Sequence, residues 1–152
     1  MALENIRKWQ WINRMNEKIN RMWKYDMLTQ VLNRSGFFYC AETILQKIKE
    51  EKSNAFIIFL DIDGLKSVND NLGHEIGDAF IAKIAGILKE VVPKDCLIMR
   101  YGGDEFVVFG SCKQAGRMQR IAEDIKAAIK TADQKENRSY HLAASLGCSL
   151  HK

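Results

Sequence analysis

Four carboxylates in this chain stand where carboxylates are costly. Asp61 and Asp63 follow directly on the apolar run Ala55-Phe-Ile-Ile-Phe-Leu60, and Asp104 and Glu105 follow Tyr101-Gly-Gly in a turn sequence. Bringing such charges to the rim of a core is unfavourable unless cations compensate them, and a divalent metal is the economical partner. Oxygen ligands with no adjacent His or Cys point to Mg²⁺ or Mn²⁺ rather than zinc. Either pair alone reads better as ordinary turn acids, since Asp is common after strands and Gly-Asp is a standard turn dipeptide. The neighbours shift the balance. Gly64-Leu65-Lys66 offers a glycine-bearing turn whose N–H groups can meet phosphate, with a lysine as point charge. Asn69 and Asp78 supply an amide and a carboxylate of the kind that read a guanine edge. His74 has no second His or Cys near it and reads as a structural hydrogen-bonder.

These residues need elements to hold them. Ala55 to Leu60 is a buried strand that ends at Asp61-Ile-Asp-Gly64. A polar loop rich in Asn, Asp and Gly is expected through Gly77, then a helix from about Asp78 to Glu90, stopped by Pro93. Residues 96 to 109 predict a β-hairpin around the Gly102-Gly103 turn. Apolar residues recurring at three and four predict a helix from Ser35 to Glu50. A helix from Gln114 to Thr131 and a strand from Tyr140 to Leu150 complete the pattern, with scattered methionines as core filler. In the first 24 residues Ile12, Met15, Ile19 and Met22 form the seam of a short coiled coil, or equally the face of a helix packed on its own domain.

The chain has 152 residues, 47% hydrophobic and 28% charged, which excludes a disordered, collagen-like or disulfide-scaffold protein. Its net charge of +4 is localised. Residues 1–25 carry six basic against two acidic side chains, so the remainder balances at 17 against 17. A duplex-binding module is therefore not expected, and a template-using polymerase lacks its basic channel. Cys40, Cys96, Cys112 and Cys148 are widely spaced without a C-x-x-C pair, which suits a reduced, cytoplasmic setting. No apolar run approaches the roughly 20 residues of a membrane helix, and no signal peptide is visible.

Four blocks carry a family resemblance. Arg100-Tyr-Gly-Gly-Asp-Glu-Phe106 resembles the signature of GGDEF domains, the diguanylate cyclases of bacteria. Asp26-Met-Leu-Thr-Gln-Val-Leu-Asn-Arg34 resembles the family's D-x-L-T-G-L-x-N-R motif, and Leu60-Asp-Ile-Asp-Gly-Leu-Lys-Ser-Val-Asn-Asp70 its L-D-I-D-x-F-K-x-x-N-D block. Gly73-His-Glu-Ile-Gly-Asp78 is similar to G-H-x-x-G-D. The blocks stand in family order over residues 26 to about 150, preceded by a linker helix over 1–25.

The resemblance implies an α+β fold with an antiparallel central sheet flanked by helices, palm-like and related to nucleotide cyclases and polymerases. It implies condensation of two GTP molecules into cyclic di-GMP and two pyrophosphates by a homodimer, under an upstream sensor. Asp61, Asp104 and the carbonyl of Ile62 would hold the metal, and Asp104 would take the 3′-hydroxyl proton. Glu105 ranks behind Asp104, because successive strand side chains face opposite ways. Lys66 and the N–H groups of Gly64 and Leu65 would meet phosphate, Asn69 and Asp78 would hold guanine, and Gly102 and Gly103 would keep the turn bare for the nucleotide. Asp63, Asp70 and Arg34 would fix loops, and Arg100 would do the same or touch phosphate, while Leu28 and Phe106 pack.

Three departures from the family pattern matter. Gln30 stands where the family has Gly, which changes the φ preference of that loop. Pro93 and Cys96 replace the R and D of a product-binding R-x-x-D, so product inhibition is not expected there. After Ala144-Ser-Leu-Gly147 the sequence ends at Lys152, where the family usually continues into a further helix, and exposed apolar surface is expected in consequence. The alternative to an enzyme is a module of the same fold that holds GTP or a partner without turnover.

Overall fold

The computed structural model describes all 152 residues. Five helices and four strands follow one another as α1 (Ala2–Lys24), α2 (Arg34–Glu51), β1 (Asn54–Ile62), α3 (Leu65–Leu72), α4 (His74–Val91), β2 (Leu97–Arg100), β3 (Glu105–Cys112), α5 (Arg117–Lys135) and β4 (Ala144–His151). The strands form one antiparallel sheet in the order β2-β3-β1-β4, so the most apolar strand is interior. The expected α+β architecture is therefore present.

Alternation along β1 divides the molecule into layers. Phe56, Ile58, Leu60 and Ile62 are buried on one face with Phe106 and Val108, against Phe80, Ile84 and Leu88 of α4 and Ile121 and Ile125 of α5. On the other face Val107, Phe109 and Met99 pack under Phe37 and Ala41 of α2. Toward β4 that second face is open, and Ile57 and Phe59 remain 42% and 37% exposed.

Several boundaries depart from the sequence reading. The polar stretch after Gly64 is not a loop: Leu65 and Val68 bury one side of helix α3, and this packing overrides the weak helix propensity of Asn and Asp. Gly64 and Gly73 bracket it at φ 77° and 90°, so both ends use backbone conformations that suit glycine. Helix α4 begins at His74 rather than Asp78, with Glu75 favourably placed in its first turn. Helix α5 begins later than expected, after Gly116 in a left-handed conformation, and runs on to Lys135. Strand β4 starts only at Ala144, because the Leu142 N–H donates to Asp133 Oδ1 at 2.7 Å instead of to a neighbouring strand. Strand β1 carries Asp61 and Ile62 inside it. Of the six methionines only Met99 and Met118 are core, whereas Met1, Met15, Met22 and Met27 are exposed; Phe106 is fully buried and Leu28 is not.

Helix α1 resolves the two readings of its seam in one respect. It buries no residue, and Ile12, Met15, Ile19 and Met22 are 37–59% exposed, so this stripe is not packed on its own domain. No helix of the chain is long and apolar enough to cross a membrane.

The loop between α1 and α2 contains a local cost. Gln30 adopts φ 59°, a left-handed conformation that a side chain disfavours by roughly 1 kcal/mol. Its side chain recovers one exposed hydrogen bond, from Nε2 to the Met27 carbonyl at 2.9 Å. Gln30→Gly should therefore raise stability by about 0.5–1 kcal/mol, read as a higher Tm in thermal melts; a lower Tm would show that the Met27 contact outweighs the backbone term.

Candidate active site

The end of β1 and the turn between β2 and β3 are fastened together by the sheet. The register sets Asp61 opposite Glu105, and beyond the ladder the Ile62 N–H donates to the Asp104 carbonyl at 2.8 Å. The Asp104 carboxylate consequently lies beside that of Asp61. Partial desolvation, the Asp104 charge and hydrogen bond, and the Asp63 charge together raise the Asp61 carboxyl above its usual value. Glu105, the first residue of β3, takes a different position. A Cβ on Gly102 would come within 2.8 Å of its Oε2, so the carboxylate is folded over the turn.

Asp63 is committed elsewhere. It accepts from Ser145 Oγ at 2.8 Å, and its N–H donates to the Ala143 carbonyl at 2.9 Å, which pins the end of β1 to the start of β4. Asp70 lies exposed on α3. No three His, Cys, Asp or Glu side chains gather into a complete cage. Asp61 and Asp104 nevertheless fit a hard divalent cation: they are oxygen donors whose mutual repulsion such an ion would relieve, and Mg²⁺ is commonly held by one or two carboxylates with waters and substrate phosphates filling its shell. The Ile62 carbonyl is the adjoining main-chain oxygen.

Helix α3 brings the other groups within a few residues of this pair. No side chain caps its N-terminus, so the first-turn N–H groups, including that of Leu65, are available to an anion, with Lys66 exposed in the same turn. Asn69 lies on α3 and Asp78 on α4, and the two helices meet where Gly77 is buried. A Cβ on Gly77 would overlap Asn69 Oδ1, so this glycine allows the carboxamide to lie against α4 next to Asp78. Sequence reasoning missed Gly77, because its role depends on a contact across two helices.

The turn itself is held by arginine. Arg100 donates from Nη1 to both Asp26 carboxylate oxygens at 3.3 and 3.2 Å and from Nη2 to the Gly103 carbonyl at 2.8 Å. Burial raises the Asp26 carboxyl, but hydrogen bonds from Thr29 and the Arg100 charge outweigh it and hold the group below its usual value. Arg100 is thus a structural clamp. Neither Gly102 nor Gly103 has a left-handed φ, and a Cβ on Gly103 would meet nothing within 4 Å. The fold alone therefore leaves Gly103 unexplained, whereas a ligand lying on the turn would require it.

At the far end of β2, Arg117 donates to Asp95 at 2.6 and 2.8 Å and to the Ser111 carbonyl at 2.6 Å. The Arg117 hydrogen bond holds the Asp95 carboxyl below its usual value, and burial pushes the Cys96 thiol up to about 11. Twenty-two residues separate this ion pair, and no sequence pattern announces it.

Comparison with known proteins bears on these features. The sequence model of the family described as "Diguanylate cyclase, GGDEF domain" matches residues 23–152. Uncharacterized membrane proteins of Staphylococcus epidermidis and of Staphylococcus aureus strain USA300 are each 32% identical over 93% of the chain. The chain spans only 38% of their length. Among solved structures, the coiled coil and GGDEF domain of DgcB from Caulobacter crescentus in complex with c-di-GMP superposes with a TM-score of 0.81 at 22% identity, covering 99% of this chain and 81% of that one. The GGDEF domain of YfiN from Pseudomonas aeruginosa gives 0.74 at 28% identity, covering 83% and 74%.

The raised Asp61 carboxyl has a consequence for stability. Above the unfolded value of 3.8 the folded chain retains a proton that the unfolded chain has lost, so stability falls as pH rises through the folded pKa. In chelator, Asp61→Asn should lose less Tm than wild type between about pH 4 and about pH 7, and should be at least as stable at neutral pH. A variant clearly less stable than wild type at neutral pH would contradict this.

Proposed function

The chain belongs to the GGDEF domain family, and on that premise we propose that it is a diguanylate cyclase domain, condensing two GTP molecules into cyclic di-GMP and two pyrophosphates. The observation that carries the proposal is the placement of Asp104 beside Asp61 at the end of β1, next to an uncapped helix N-terminus. An acidic pair alone has little use for a triphosphate. An acidic pair that can hold Mg²⁺ or Mn²⁺, flanked by free N–H groups and a lysine, is suited to phosphoryl transfer.

Asp61, Asp104 and the Ile62 carbonyl would hold the cation, which supplies positive charge to the phosphate oxygens. Asp104 accepts the proton of the attacking 3′-hydroxyl. Its neighbour Glu105 sits over the turn and acts there in support. Lys66 and the N–H groups of Gly64 and Leu65 stabilise charge that develops on the phosphates. Asn69 and Asp78 orient guanine, and the bare Gly102-Gly103 turn admits the nucleotide to the backbone.

Each protomer binds one GTP, so two must meet. The exposed stripe of Ile12, Met15, Ile19 and Met22 supports pairing of α1 with a copy of itself, and the DgcB structure, whose description names a coiled coil, resembles this chain over almost its whole length. The matched staphylococcal relatives are described as membrane proteins, which supports membrane tethering of the full-length protein.

The test is incubation with GTP and Mg²⁺ or Mn²⁺, on the domain and on the full-length protein, with chromatographic detection of cyclic di-GMP. Asp104→Ala should reduce product at least about 100-fold with Tm preserved. Gly103→Ala should leave Tm unchanged and weaken GTP binding. GTP binding without product in both forms would replace the enzyme with a silent nucleotide-binding module. A second expectation concerns product. With Pro93 and Cys96 in the R-x-x-D positions and Asp95 occupied by Arg117, calorimetric titration with cyclic di-GMP should detect no tight site there. Tight binding that is lost in Asp95→Ala would overturn it.

A further inference from the structure

We infer that Arg34 is a positioning residue for the carboxylate pair, acting through Tyr101; the inference rests on the cyclase reading only for the reaction that its loss would slow. Arg34 is the first residue of α2, where a cation meets the positive end of the helix dipole, and no acidic residue in that turn offsets it. The helix therefore gives no reason for an arginine. Its contacts give one. Nε and Nη2 both donate to the Tyr101 carbonyl, at 3.0 and 2.9 Å, and the guanidinium stacks on the Tyr101 ring with 4.3 Å to the centroid.

This clamp has leverage on both acids. Tyr101 precedes Gly102-Gly103-Asp104, and its ring meets Phe59 edge-on at 5.9 Å, two residues before Asp61 on β1. Two consecutive glycines are the loosest link the chain can form, and fixing them is entropically expensive. The carbonyl before them is held by Arg34 and the second glycine's own carbonyl by Arg100. Only Arg34 also grips the aromatic ring that ties the turn to β1. The guanidinium fork makes both hydrogen bonds while stacking, which a lysine cannot do.

The clamp also reaches α1. Asn33, the preceding residue, accepts from the Gly36 N–H at 2.9 Å to cap α2 and donates from Nδ2 to the Met22 carbonyl at 3.3 Å. Its own N–H donates to the Lys24 carbonyl at 3.0 Å. The end of α1 and the Asp104 turn are thus fastened to adjacent residues.

Arg34→Gln and Arg34→Lys in the whole chain test this by three readouts: amide hydrogen exchange, Mn²⁺ titration followed by electron paramagnetic resonance, and steady-state kinetics. Arg34→Gln should keep its Tm, since the dipole clash is relieved. The Tyr101 and Gly102 amides, which donate to the Glu105 carbonyl, should exchange at least about tenfold faster, while Val107 and Val108 are unchanged. Mn²⁺ affinity should fall several-fold, and kcat about tenfold with KM for GTP within about twofold. Arg34→Lys should resemble Arg34→Gln. Unchanged exchange and unchanged kcat would overturn the inference, as would a loss confined to KM or one that tracks a lowered Tm. If wild type makes no cyclic di-GMP, the cyclase reading fails, while exchange and Mn²⁺ binding still decide the role of Arg34.

Discussion

The antiparallel pairing of β1 with β3 is the interaction on which the rest of this molecule depends. It joins the most apolar strand to the hairpin and carries Asp61 and Asp104 to one end of the sheet. Its register is set far from any chemistry. Phe56, Ile58 and Leu60 are fully buried on the α4–α5 side, and each contributes about 1.5–3 kcal/mol by leaving water. A slip of one residue would turn all three toward α2 and drive Asp61 into the core. The apolar pattern thus holds the acids together, and desolvation first, then the neighbouring Asp104 and Asp63 charges, raise the Asp61 carboxyl.

A second constraint lies at the junction of α1 with the domain. Gly36 is buried so tightly against the Lys24 carbonyl that no Cβ fits, and Asn33 bonds to both Met22 and Lys24. From the loop Asp26 reaches Arg100, and from the first residue of α2 Arg34 reaches Tyr101. The short segment between α1 and α2 is therefore a joint as well as a linker. It connects a helix with no buried residue to the turn that carries Asp104. That helix leaves the stripe of Ile12, Met15, Ile19 and Met22 exposed.

Much of the site was legible because its cues are local. A strand that ends in Asp-x-Asp, a Gly-Gly-Asp turn and a lone proline each act within a few residues, and the structure places strand, hairpin and helix end accordingly. The stretch from Gly64 to Gly77 was misread for the complementary reason. Asn and Asp favour turns in isolation, and only the burial of Leu65 and Val68 makes α3 a helix. As a helix, α3 carries free N–H groups beside Lys66 and sets Asn69 against α4 next to Asp78.

What the sequence by itself determined was the inventory: which acids, which lysine, which glycines, and a family in which they belong together. It also determined the central strand, because period-two burial and a continuous apolar run admit few alternatives. Only the tertiary structure decided the partners. Arg34 with Tyr101, Arg117 with Asp95, Asp133 with Leu142 and Gly77 beneath Asn69 join residues whose side chains carry no mark of one another. Hydrogen bonds and close approaches depend on positions in space, and those exist only after the sheet register and helix packing have brought distant segments within about 3 Å.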